Sequence, residues 1–162
     1  MTLTLDPTRD LVLDRLLKAP PAKVWRLWTE PALICQWFCP KPWSVSEAVI
    51  DLRPGGRFFT RMAGPNGESV SNEGSFLEVV AERKLVFTDM FGPDFAPLDV
   101  PQSGSGLQFA AIVTLEPEGT GTRYQAIARH RSAADAKTHE EMGFHIGWGI
   151  AADQLDDLAA RI

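Results

Sequence analysis

These 162 residues hold only two cysteines, one tyrosine and three histidines, so thiol, phenol and imidazole chemistry has few places to sit. Cys35 and Cys39 form a lone C-x-x-x-C without the second ligand pair of a structural zinc site, so two reduced thiols are expected. On a helix their i, i+4 spacing would set them side by side, which leaves a redox role open. His139 and His145 are six apart, roughly 240° around a helix, so they face differently and no metal is expected. Glu141 and His145 are four apart and read as an i, i+4 ion pair. There is no phosphate-cradling glycine loop, dinucleotide fingerprint or nucleophile elbow, and no cofactor is expected. The 16 Lys and Arg are scattered within a net charge of −5, leaving no basic stripe for phosphates, so nucleic acid is not an expected partner. No apolar run approaches about 18 residues, and Met1 to Asp10 lacks the basic flank and apolar run of a signal peptide. A cytoplasmic protein without membrane insertion is the expectation.

What is present suits one globular domain over residues 1–162, with its core from about residue 11 on: 44% of residues are hydrophobic and 23% charged. Leu11 to Leu17 reads as a first strand, stopped by Ala19-Pro20-Pro21, where proline pre-sets a helix start. Val24, Leu27 and Trp28 recur on one helical face, and Thr29-Glu30-Pro31 closes that helix and opens a second carrying Leu33, Ile34, Trp37 and Phe38 up to Pro40 and Pro42. From Trp43 to His130 the period falls to two. Turns at Pro54-Gly55-Gly56, Gly64-Pro65-Asn66-Gly67, Ala81 to Lys84 and Pro117 to Gly121 divide this stretch into six strands of an antiparallel meander.

Gly92 to Gly106 holds Pro93, Pro97 and Pro101 without periodicity, and reads either as a flap beside a cavity entrance or as a variable surface loop. Ser132 is a natural N-cap for one helix running to the C-terminus, about 40 Å long. Phe144, Trp148, Ala151, Leu155, Leu158 and Ile162 draw a continuous apolar stripe along it. Gly143, Gly147 and Gly149 weaken that helix by about 1 kcal/mol each, so close backbone approach or room for a ligand is expected in return. Ala126 and Ala128 are small residues on one face of the last strand, where a helix or ligand could come close.

This order resembles the START and polyketide-cyclase-like (SRPBCC) superfamily. Ala19 to Trp25, Trp28-Thr29-Glu30-Pro31 with Trp37-Phe38, Asp51 to Phe58, Gly74 to Val80, Leu85 to Thr88, and His139 to His145 with Gly147-Trp148 together resemble bacterial single-domain relatives of the activator of heat-shock protein 90 ATPase. The resemblance runs from about Leu11 to Ile162. It implies an α+β helix-grip fold: a curved seven-stranded antiparallel sheet, two short helices and a long C-terminal helix over a cavity. Members of one superfold serve as carriers, cyclases and co-chaperones, so the fold alone does not assign the role.

With that fold, Trp37, Phe38, Phe59, Phe87, Phe109, Met142 and Trp148 are expected either to wall a cavity or to pack as plain core. Arg61, Glu73, Asp89 and His145 are the polar candidates beside them. A pair of Arg61 with Glu73 or Asp89 could bind a ligand's polar end, while outward-facing charge is the alternative. The leading expectation is a non-enzymatic binder of a small hydrophobic or amphipathic molecule. The alternatives are a cyclase, hydrolase or isomerase using His130, His139 or Asp89, and a co-chaperone-like interaction module. A homodimer is compatible with any of these.

Overall fold

The computed structural model describes residues 3–99 and 106–162. Strand β1 (Asp10–Leu17) leads into helix α1 (Pro21–Thr29) and the single turn α2 (Pro31–Ile34). The meander follows as β2 (Ser44–Ile50), β3 (Arg57–Ala63), β4 (Ser69–Val80), β5 (Lys84–Thr88), β6 (Phe109–Glu118) and β7 (Gly121–His130). Helices α3 (Ala133–Glu141) and α4 (Phe144–Ala159) complete the described chain. The seven strands form one antiparallel sheet in the order β1-β7-β6-β5-β4-β3-β2, so β1 joins the meander beside its last strand. Register shifts at Val45/Glu47 and Phe76/Glu78 are bulges, which bend and twist strands. No helix of the described residues is long and apolar enough to cross a membrane.

Alternation decides the two faces. Leu11, Leu13, Phe58, Phe76, Val113, Leu115, Tyr124, Ala126 and Ala128 point to the helices and join Phe144, Ala151, Leu155 and Leu158 of α4 in the main core. Their neighbours Val12, Leu77, Val86, Ile112 and Ile127 form a smaller cluster on the opposite face. Polar contacts pin α4 in place. Asp156 accepts from the backbone N–H groups of Lys18 and Ala19 at 2.9 and 3.1 Å, and Lys23 Nζ donates to the carbonyls of Ala159 and Ile162. Gln154 donates to the carbonyls of Trp37 and Cys39 and accepts from Lys41 N–H, tying the segment after α2 to the same helix.

The structure corrects two helix expectations. The terminal helix is broken rather than continuous: Ser132 caps α3 through Asp135 N–H at 3.1 Å, but Gly143 adopts φ +98°, a left-handed conformation that ends one helix and starts another. The 16 residues of α4 therefore span about 24 Å. The second helix stops at Ile34, and Trp37 and Phe38 sit on turns whose N–H groups reach back to the Ile34 carbonyl. Of the proline-rich loop, Pro93–Phe95 forms a tight 3-10 turn anchored by Asp94 N–H on the Gly55 carbonyl at 2.7 Å, and Pro101 lies outside the described residues.

Candidate functional site

Between α4 and the sheet lies a half-open hollow of about 520 Å³, with a wall that is overwhelmingly apolar. Its rings fall into two clusters. Trp28, Trp37, Phe38, Phe58 and Phe87 pack edge-to-face or tilted at centroid distances of 4.8–5.9 Å. Phe109, His139, Phe144 and Trp148 form the second cluster, at 4.5–6.1 Å. Such geometries suit the ring quadrupoles and hold the walls stiff. Gly147 answers one of the glycine questions: a Cβ there would meet nothing within 4 Å, so it leaves room at the wall, whereas at Gly149 it would collide with Arg15.

The polar groups on this wall are few. Trp37 Nε1 donates to the Leu27 carbonyl at 2.8 Å, but the buried Trp28 Nε1 has no hydrogen-bond acceptor among the described residues. It lies near enough to the Tyr124 hydroxyl to favour the phenolate, yet short of hydrogen-bond geometry, and burial dominates by pushing the phenol well up. Asp89 lines the hollow, with one carboxylate oxygen accepting from Phe109 N–H at 3.1 Å.

His130 and His139 meet at the far wall. His130 Nδ1 lies 2.9 Å from the Arg9 carbonyl and His130 Nε2 lies 2.8 Å from His139 Nδ1. Burial, reinforced by the neighbouring His130, holds the His139 pKa down at about 4, so its ring is neutral at pH 7. Among the described residues no group of three His, Cys, Asp or Glu converges as a metal site. The two thiols stand apart from this chemistry. Cys39 lines the hollow and burial pushes it up to about 11, and Cys35 moves in the same direction, opposite to what a reactive thiol requires.

The structure places Trp37, Phe38, Phe87, Phe109, Met142 and Trp148 on the wall, with Asp89 and His139; His130 stands directly behind His139. Three of the expected residues lie elsewhere. Phe59 is on the opposite face of β3, covered by the guanidinium groups of Arg57 and Arg61 at 4.5 and 5.4 Å from its ring. Arg61 shares that face and pairs with Glu47, so it makes no pair with Glu73 or Asp89. Glu73 touches the wall, but its carboxylate is held 2.9 Å from Arg57 Nε on the outer side. His145 is exposed on the first turn of α4 and contributes no wall, and Glu141 faces Lys137 instead, because the break at Gly143 destroys the i, i+4 register.

Sequence reasoning missed Trp28, Thr60, Met62 and Tyr124 on this wall. The signal was available for Tyr124. Extending the Ala126 and Ala128 alternation by two residues each way reaches Tyr124 and His130, and all four are buried.

The family model described as Activator of Hsp90 ATPase homolog 1-like protein matches residues 18–160. A crystal structure of a protein from Nitrosomonas europaea is similar at 44% identity and a TM-score of 0.91, covering 97% of each chain. A protein from Mycobacterium smegmatis is 26% identical with a TM-score of 0.75, over 94% of this chain and 91% of that one. The AHSA1-like protein from Aeromonas hydrophila shares the fold at 20% identity and a TM-score of 0.68, over 91% and 90% of the two chains. No curated protein matches this chain.

Proposed function

Because the chain belongs to the Activator of Hsp90 ATPase homolog 1-like family, we propose that it binds a small, predominantly apolar molecule in the hollow beneath α4. One observation carries this reading: a space of about 520 Å³ walled by aromatic rings stands inside an otherwise packed core. That volume is within the usual range of small-molecule sites. The proposed wall is Trp37, Phe38, Phe87, Phe109, Met142 and Trp148, joined by Trp28 and Tyr124. The same reading makes it a cytoplasmic carrier whose thiols stay reduced.

Native mass spectrometry of the purified protein, followed by solvent extraction, is expected to release a bound small molecule. A panel of lipids and aromatic compounds should raise the melting temperature of stripped protein in proportion to the logarithm of ligand concentration. Repeated isolation empty, together with no shift across the panel, refutes the reading. A cyclase, hydrolase or isomerase in the same hollow is the second reading, favoured by the hydrogen-bonded His130–His139 pair at its wall. It requires that His139→Phe abolish turnover while leaving binding and folding intact.

A further inference from the structure

The rim of the hollow carries an asparagine where the strand pattern asks for an apolar residue. On the face of β3 and β4 turned to the hollow stand Phe58, Thr60 and Met62, paired in register with Gly74, Asn72 and Val70. Asparagine is depleted in strands and gains nothing from an apolar wall, so its place on this face needs a reason. Trp28, Trp37 and Phe58 are buried, while Trp43, Met62, Val70 and Asn72 are half-buried, so the wall grades from enclosed rings to an open edge where Asn72 stands.

Asn72 Nδ2 donates to Thr60 Oγ1 at 3.2 Å, and Thr60 is only 2% exposed, so a fixed neighbour holds the amide. That bond uses one N–H. The second N–H and the Oδ1 carbonyl of Asn72 have no hydrogen-bond partner among the described residues. Thr88 and Glu73 of the same wall are by contrast engaged: Thr88 Oγ1 donates to the Phe109 carbonyl and accepts from Met90 N–H, and the Glu73 carboxylate pairs with Arg57. Being half-buried, the two free groups of Asn72 lose access to solvent once a guest's body covers them, and the guest must then supply an acceptor and a donor. A carboxamide has that complement, its C=O for the N–H and its N–H for Oδ1. A ketone has only the acceptor. A carboxylate has only acceptors and brings a charge, and no Lys or Arg is among the described wall residues to meet it.

We propose that the hollow selects a guest whose apolar body lies among the rings and whose head is a neutral carboxamide, seated at the rim on Asn72, with Thr60 as the positioning residue that orients Asn72. This rests on the binding function proposed above and adds the head group and its direction, head at the rim and body inward.

Tryptophan-fluorescence titration at pH 7 with four phenylalkyl probes tests it, since Trp28, Trp37, Trp43 and Trp148 line the hollow. The probes are 4-phenylbutanamide; 5-phenylpentan-2-one, its ketone isostere without a donor; 4-phenylbutanoate, the anion; and butylbenzene, without a head. In the unaltered protein the amide is expected to bind about 3- to 10-fold more tightly than the ketone or the anion, as the net worth of one hydrogen bond requires. Asn72→Leu should weaken the amide about 10-fold and the ketone less, without weakening butylbenzene. Thr60→Val should reduce the amide's advantage over the ketone while butylbenzene is unchanged, and Thr60→Ser should restore it, which separates positioning from strand packing. Equal affinity for amide and ketone in the unaltered protein, or an amide advantage that survives Asn72→Leu, overturns the inference but leaves the apolar site standing, provided butylbenzene binds. Binding of none of the four refutes the site itself, and the inference with it.

Discussion

Lowering the pH from 7 to 5 should destabilise this fold through His139, by an amount that follows from its surroundings. The ring is 8% exposed, packs on Phe109 and Phe144 at 4.9 and 5.3 Å, and is hydrogen-bonded to His130 at 2.8 Å. Burial first and His130 second hold its pKa at about 4, against 6.5 for an unperturbed histidine. His130 from β7 is the charged neighbour that bears on it. Above pH 6.5 both folded and unfolded chains carry the neutral ring. Below it the unfolded chain takes up a proton that the folded one refuses, so stability falls with pH until the ring protonates near 4. The full effect is about 3 kcal/mol, of which about 2 kcal/mol is lost by pH 5. Carboxylates held low in the fold, such as Asp10, act in the same direction, so the wild-type slope alone is not diagnostic. His139→Asn is the control: its amide N–H can replace Nδ1 as donor to His130, and it does not titrate. Urea unfolding followed by tryptophan fluorescence should find the variant less stable at pH 7, where ring packing is lost. The gap should shrink by about 2 kcal/mol at pH 5. A gap that stays constant within about 0.5 kcal/mol refutes the reasoning.

Two further outcomes follow from the geometry. Gly147→Ala adds a Cβ into open space within α4 and should stabilise the fold by about 0.5–1 kcal/mol in thermal denaturation, whereas Gly147→Phe should fill the hollow and abolish the thermal shift given by the aromatic compounds in a folded protein; an unchanged shift would place the guest elsewhere. Asp10 has a side chain 1% exposed, accepts two hydrogen bonds from Arg129 at 2.7 and 2.8 Å and one from Asp6 N–H, and Asp10→Ala should cost about 2–4 kcal/mol in urea unfolding; a cost below about 1 kcal/mol would show that Arg129 is satisfied by water instead.

The order of elements was legible because its signals are local. Proline at 20, 21 and 31 fixes φ and removes donors within its own neighbourhood, and the hairpin turns at Gly55 and Gly67 need the positive φ that glycine supplies, +79° and +86°. Ser132 reaches a backbone N–H three residues away, so its cap is written in adjacent residues. The apolar stripe of α4 was equally local, but it hid the break at Gly143, since a stripe records spacing and not whether the backbone between its members stays helical.

Sequence alone determined the antiparallel meander, the helices that flank it and the family they resemble, since period, turn and cap are properties of neighbouring residues. Tertiary structure alone decided the site. In β3 consecutive aromatics at 58 and 59 give alternation nothing to choose between, and the fold turned Phe58 to the hollow and covered Phe59 with two arginines. His130 and His139 lie on a strand and a helix, and which of their nitrogens meet, and which is left facing the hollow, depends on how those two elements pack. Partners brought together across elements are selected by the whole packed core, and no single segment of the chain carries that information.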